Sequence, residues 1–173
     1  SGVTTATLAV TGATTGLSGA RYRAVASSTA GNVPSNAATL TVNVATPPAI
    51  TTQPANQTVT AGGNASFSVA ASGAPAPTYQ WQASTDGGVT FANLADVAPY
   101  SGATTTTLAI TGVTAGLTGN RYRAIATNGS GSATSSAATL TVNVAPTITT
   151  QPTNQTIVAG QNGSFTATAT GTP

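Results

Sequence analysis

The chain has 173 residues and a formal net charge of +2, and only 3% of its residues are charged, against about 25% in ordinary globular domains. It contains no His, Cys, Met, Lys or Glu, so its charged side chains are Arg21, Arg23, Arg121, Arg123, Asp86 and Asp96. That inventory excludes His, Cys and Lys nucleophiles or bases, soft-metal sites and a convincing carboxylate pair, and it leaves too few cations to follow a nucleic-acid backbone.

Thr and Ala supply about two-fifths of the chain, so the polar surface must be built from uncharged Thr, Ser, Asn and Gln. No 18-residue apolar run is present, so no membrane insertion is expected within this segment. No leader or lipidation motif is visible, and the chain opens inside a repeat, so it reads as a slice of something longer.

The repeat dominates the sequence. Residues 1–44 align with residues 101–144 without a gap and are identical at 28 of 44 positions. A second match pairs "ITTQPANQTVTAGGNASFSVAASGAP", beginning at Ile50, with "ITTQPTNQTIVAGQNGSFTATATGTP", beginning at Ile148. The period is near 100 residues. That is too long for a solenoid unit and suits a whole β-sandwich domain.

Within one period the expected elements are short strands. Residues 66–71 alternate, with Phe67 and Val69 on one face. Residues 79–82 place Tyr79 and Trp81 together. Residues 106–110 place Leu108 and Ile110 together. Residues 122–126 turn Tyr122, Ala124 and Ala126 one way and Arg123 and Ile125 the other, with Arg121 beside them. Residues 140–144 align Leu140, Val142 and Val144. These are period-two patterns, punctuated by Gly62-Gly63, the Ala-Pro run at 74–77, Asp86-Gly87-Gly88 and Asn128-Gly129. No stretch shows helical periodicity, and the Thr and Val content disfavours helix.

On these residues the chain resembles tandem immunoglobulin-like domains of the I-set type found in bacterial surface proteins. "GGNASFSVAASGAPAPTYQWQ" is similar to the strand B to strand C region, "NRYRAIATN" to strand F and "SAATLTVNV" to strand G. The resemblance implies an all-β fold of tandem immunoglobulin-like β-sandwich domains with Greek-key antiparallel sheets. It makes Trp81 the core Trp and Tyr122 the tyrosine-corner residue. Val69 and Ala124 then fill the two positions where the family carries a disulfide, and Phe67 and Phe165 share one core position in successive domains. Thr118 and Asn120 depart from the Asp and Gly usual before the corner Tyr.

The resemblance also sets the register. Residues 1–46 correspond to the C-terminal half of a domain (strands E to G), residues 47–145 to a complete domain, and residues 146–173 to the N-terminal half of the next (strands A and B). Half a sandwich leaves an apolar face and strand edges uncovered, so adjacent repeats or copies of the chain are the expected partners. The expected function is structural and non-enzymatic, without cofactor or metal. It is an extracellular fibre, stalk or sheath on a microbial surface, with Pro-rich joints at Thr46-Pro47-Pro48 and Ala145-Pro146 limiting bending. Isopeptide cross-linking is closed to it for want of Lys.

The alternative is an adhesin that grips a glycan or a surface protein. Its candidate contact residues are Tyr79, Phe91 and Tyr100 around the hairpin, with Arg121 and Arg123 turned outward; Arg21 and Arg23 repeat that pair. Asp86 reads as a turn residue and Asp96 as a loop residue. Acceptor sequons for N-linked glycans stand at Asn56, Asn64, Asn128, Asn154 and Asn162.

Overall fold

A computed structural model describes residues 5–172. The chain divides into two compact units, one ending at Thr46 and the other beginning at Pro47.

In the first unit the strands are β1 (Arg21–Tyr22), β2 (Val25–Ser28), β3 (Gly31–Pro34) and β4 (Ala38–Thr39). β1 pairs with β4 and β2 with β3, both antiparallel. A 3-10 turn at Thr15–Leu17 precedes them.

β5 (Thr46–Thr52) begins at the boundary, and the second unit continues with β6 (Gln57–Thr60), β7 (Ala65–Ser68), β8 (Ala70–Ala74), β9 (Thr78–Ser84) and β10 (Ala92–Asn93). There follow β11 (Tyr100–Ser101), β12 (Thr107–Ile110), β13 (Arg121–Asn128), β14 (Gly131–Thr134), β15 (Ala138–Asn143), β16 (Thr147–Thr150) and β17 (Thr168–Thr170). One sheet runs β10-β9-β13-β15-β6, with β14 also on β13; the facing ladders are β11-β12-β7 and β5-β8. Val69 joins β7 to β8, and its N–H bonds to the Thr106 carbonyl (2.9 Å), so that ladder passes through the break.

The expected all-β sandwich is present, with one departure from an antiparallel sheet: β15 pairs with β6 in parallel, Leu140 opposite Gln57 and Val142 opposite Val59. The cause lies at Pro54, which is buried between β5 and β6. A proline offers no N–H to a ladder, so the first strand is interrupted there. Its two parts join opposite sheets.

The core is the alternation made real. Phe67, Val69, Trp81, Leu108, Ile110, Tyr122, Ala124, Leu140 and Val142 are buried, as are Ala65, Val113 and Ala138. Cross-strand partners set the layers: Leu108 faces Phe67 and Ala124 faces Trp81. The Phe67 and Tyr122 rings lie 4.9 Å apart. Val69 and Ala124 fill the core beside Trp81 without a disulfide, and the buried indole is satisfied by its Nε1–H donating to the Thr105 carbonyl at 2.9 Å. The loop that presents that carbonyl requires Gly102. Its φ is +76°, and a Cβ there would collide with the Thr107 carbonyl oxygen.

The Tyr122 hydroxyl meets that of Tyr100 at 3.4 Å, because β11 brings Tyr100 onto the core. Phe165 repeats Phe67 in the sequence. It is 69% exposed where Phe67 is 1% exposed. Around it only the β16–β17 ladder forms, and among the described residues no strand lies across from it.

Residues 5–46 show the same contrast. Leu8 and Val10 are 50% and 40% exposed, whereas their repeat counterparts Leu108 and Ile110 are fully buried. The local hydrogen bonds nonetheless recur. Gly19 N–H to the Leu40 carbonyl and Ala24 N–H to the Ser35 hydroxyl (2.8 and 3.0 Å) match Gly119 to Leu140 and Ala124 to Ser135 (2.8 and 2.9 Å). Turn chemistry is therefore local, and burial is not.

The repeat supplies its own control. Leu108→Ala should cost about 2–5 kcal/mol, as large-to-small changes in packed cores do, whereas Leu8→Ala should change stability by less than about 0.5 kcal/mol. Urea unfolding of the two variants of the 173-residue chain measures both.

Candidate functional site

The sheet β10-β9-β13-β15-β6 turns one face to the core and the other outward. Period-two alternation puts Trp81, Tyr122 and Ala124 inward and Gln82, Arg121 and Arg123 outward. Register then assembles the site. Arg123 stands opposite Gln82, and Gln82 opposite Asn93, a row across three adjacent strands.

The side chains of that row are joined. Arg123 Nε donates to Gln82 Oε1 at 2.8 Å, and Gln82 Nε2 donates to Asn93 Oδ1 at 2.8 Å. Phe91 stands beside the row, with the Arg123 guanidinium carbon 3.8 Å from its ring centroid, a cation–π contact. Phe91 and Arg123 are both half-buried. Arg121 is exposed and lies along the hairpin loop; a Cβ on Gly88 would meet its Nη1 at 3.1 Å.

The structure thus brings Phe91 and Arg123 together and places Arg121 on the same face. It separates Tyr79 and Tyr100 from them. The Tyr79 hydroxyl accepts from the Ala71 N–H at 3.1 Å, and Tyr100 packs on Tyr122 with ring centroids 6.2 Å apart. Gln82 and Asn93 were not singled out by the sequence. Gln82 is the outward neighbour of Trp81, a signal that was available. Its pairing with Asn93 depends on the length of the 85–91 loop, which alternation does not encode.

Both carboxylates are occupied. Asp86 accepts from the Ser84 hydroxyl (2.6 Å), the Thr90 hydroxyl and the N–H groups of Thr90 and Val89 (3.0 Å each). These bonds, Ser84 foremost and then Thr90, hold its carboxyl well below the usual carboxylate range. Asp96 accepts from the Ala103 N–H at 2.7 Å. Among the described residues no Arg forms an ion pair with either Asp.

Three of the sequon side chains in the complete sandwich serve the backbone. Asn56 Oδ1 accepts from Thr139 N–H (2.8 Å) and Asn64 Oδ1 from Gly112 N–H (3.1 Å). Asn128 accepts from Ser130 N–H (2.9 Å) and donates Nδ2 to the Pro75 carbonyl (2.8 Å). Asn154 and Asn162 are exposed.

Two facing sheets around a buried Trp, with Greek-key order, define an immunoglobulin-like β-sandwich. The likeness to solved structures is of the same kind. An I-band fragment of titin matches at TM-score 0.61 and 20% identity over 93% of this chain and 54% of its own. The immunoglobulin domains 1–5 of Sidekick-1 match at TM-score 0.51 and 28% identity over 71% of this chain and 25% of that one. A chimeric titin Z1Z2 functionalized with a peptide from decorin matches at TM-score 0.50 and 32% identity over 60% of this chain and all of its own. The chain belongs to the family described as domain of unknown function DUF8696, whose model matches residues 49–146. It is also 42% identical over 131 residues to Endoglucanase C of Cellulomonas fimi, covering 75% of this chain and 11% of that protein's length.

The short charge inventory predicts an unusual pH profile. No side chain has an ordinary pKa between those of Asp, about 3.9, and Tyr, about 10. Asp86, lowered in the fold, contributes stability above pH about 4 that is lost as the pH falls through its own pKa. Tyr122 is raised by burial and by the Tyr100 hydroxyl. Its contribution is present below about pH 10 and lost as the pH climbs toward its raised pKa. Melting temperature should be flat from about pH 5 to 9 and fall at both ends. Asp86→Asn should remove most of the acid-side slope in melts recorded across that range.

Proposed function

We propose that this chain is a non-catalytic spacer segment of an extracellular microbial protein, in which immunoglobulin-like sandwiches follow one another as a stalk. The observation that carries this reading is the recurrence of one unit. The 28 identities at a spacing of 100 residues come with the same turn and hydrogen bonds at 19–40 and 119–140. Adjacent repeats are the partners that suit the uncovered faces. Phe165 repeats Phe67, Leu8 repeats Leu108, and in the complete sandwich those two core residues face each other across β7 and β12. The match to a small part of Endoglucanase C supports a module carried in a longer protein, with the chemistry elsewhere. The two Asp side chains are both committed to backbone and hydroxyl donors, so neither is poised as a general acid or base.

Small-angle scattering of chains with one, two and four of the 100-residue repeats tests the spacer role. The maximum dimension should rise linearly with repeat number, and cube-root growth would show collapse into a globule and sink the proposal. Incubated with soluble glucans, the chain should release no reducing sugar; sustained release would make it an enzyme.

A further inference from the structure

The outward row Asn93–Gln82–Arg123 has a polarity that Arg123 imposes. A guanidinium can only donate. Gln82 must therefore turn its oxygen to Arg123, which leaves its amide nitrogen facing Asn93, and Asn93 must accept with its own oxygen. Each side-chain oxygen in the row already accepts one bond inside it and keeps one further lone pair. The N–H groups left over outnumber those lone pairs: the Nη groups of Arg123, the second N–H of Gln82 and the amide of Asn93. The row is preorganised, because each member is held by its neighbour and Arg123 is seated on Phe91 at 3.8 Å. It spans two strand spacings, roughly 10 Å.

A donor-rich row with an unpaired cation seeks oxygen acceptors that carry negative charge. The chain does not provide them. Asp86 and Asp96 are bonded elsewhere, and no Arg is ion-paired among the described residues. Arg121 adds a second cation two residues along the same strand and on the same face. We propose that the outer face of β9, β10 and β13 binds an acidic polysaccharide, a uronate-bearing chain whose carboxylates meet Arg123 and Arg121 while its hydroxyl and ring oxygens accept from Gln82 and Asn93. Phe91 holds the Arg123 guanidinium in place through the cation–π contact. An acidic peptide fits less well, since it brings carboxylates on mobile stems without the dense, rigid array of ether and hydroxyl oxygens. Arg21 and Arg23 repeat the cation pair one period earlier, so tandem repeats gain avidity from weak single sites. The binding and the spacer role are independent, and a chain that spaces without binding fails only here.

The test is an NMR titration of the 173-residue chain with oligogalacturonate at low salt. Shifts should cluster on Gln82, Phe91, Asn93 and Arg123, including the Arg123 Nε–H. Arg123→Gln should weaken binding about tenfold or more, and Asn93→Ala, at an exposed position, by several-fold, both with dispersed native spectra. Salt should weaken binding steeply, since charge carries much of it. Four results would each overturn the proposal: no shifts at tens of millimolar sugar, shifts confined to another face, equal binding by both variants, or equal binding of neutral cello-oligosaccharide or polyglutamate.

Discussion

Burial of Trp81 is the constraint on which the complete sandwich rests. The indole touches both layers, and its one polar atom is matched by the Thr105 carbonyl. That match requires the tight Gly102 loop, which sits beside the β11–β12 ladder facing β7. With no disulfide available, the seat of the Trp is made by small and branched side chains, Val69 and Ala124, packed to interior density. The local turn and hydrogen bonds around 119–140 recur at 19–40, so strand and turn are specified by nearby residues, while the core of the complete sandwich depends on strands brought together from across the domain.

The same economy governs charge. Two carboxylates serve as turn and loop fasteners, and among the described residues the four guanidinium groups have no acidic partner. On most proteins an exposed Arg would find a Glu or Asp nearby and lose its identity in a network. Here Thr, Ser, Asn and Gln surround it, so the direction of each hydrogen bond around Arg123 is dictated by that residue alone. A nearly neutral surface makes one cation chemically conspicuous.

Much of the fold was legible in the sequence, because alternation and burial are the same fact seen twice. Phe67 with Val69, Leu108 with Ile110, and Tyr122 with Ala124 each fall on the face that the pattern gave them. The parallel β15–β6 pair was not legible, since it depends on where Pro54 interrupts a strand and on which sheet receives the remainder. The tyrosine partner of Tyr122 was missed for a related reason: β11 is two residues long, too short for a periodic signal, yet it carries Tyr100 into the core. Of the site, the outward Arg residues and Phe91 could be read from alternation and loop position. Their assembly with Gln82 and Asn93 could not, because cross-strand register is set by loop geometry rather than by pattern.

The near-identity of successive repeats has a consequence for biogenesis. A strand from residues 1–44 is similar enough to its counterpart in residues 101–144 to compete for the same place in the sandwich. Chains of this design are exposed during synthesis to exchange of strands between neighbours, a known failure of multidomain and repeat proteins. The recurrent local turns at 15–20 and 115–120 counter it, because they form from contacts close in sequence, before a distant strand can compete. Vectorial emergence from the ribosome then favours closure of the sandwich around Trp81 by the strands nearest to it in the chain.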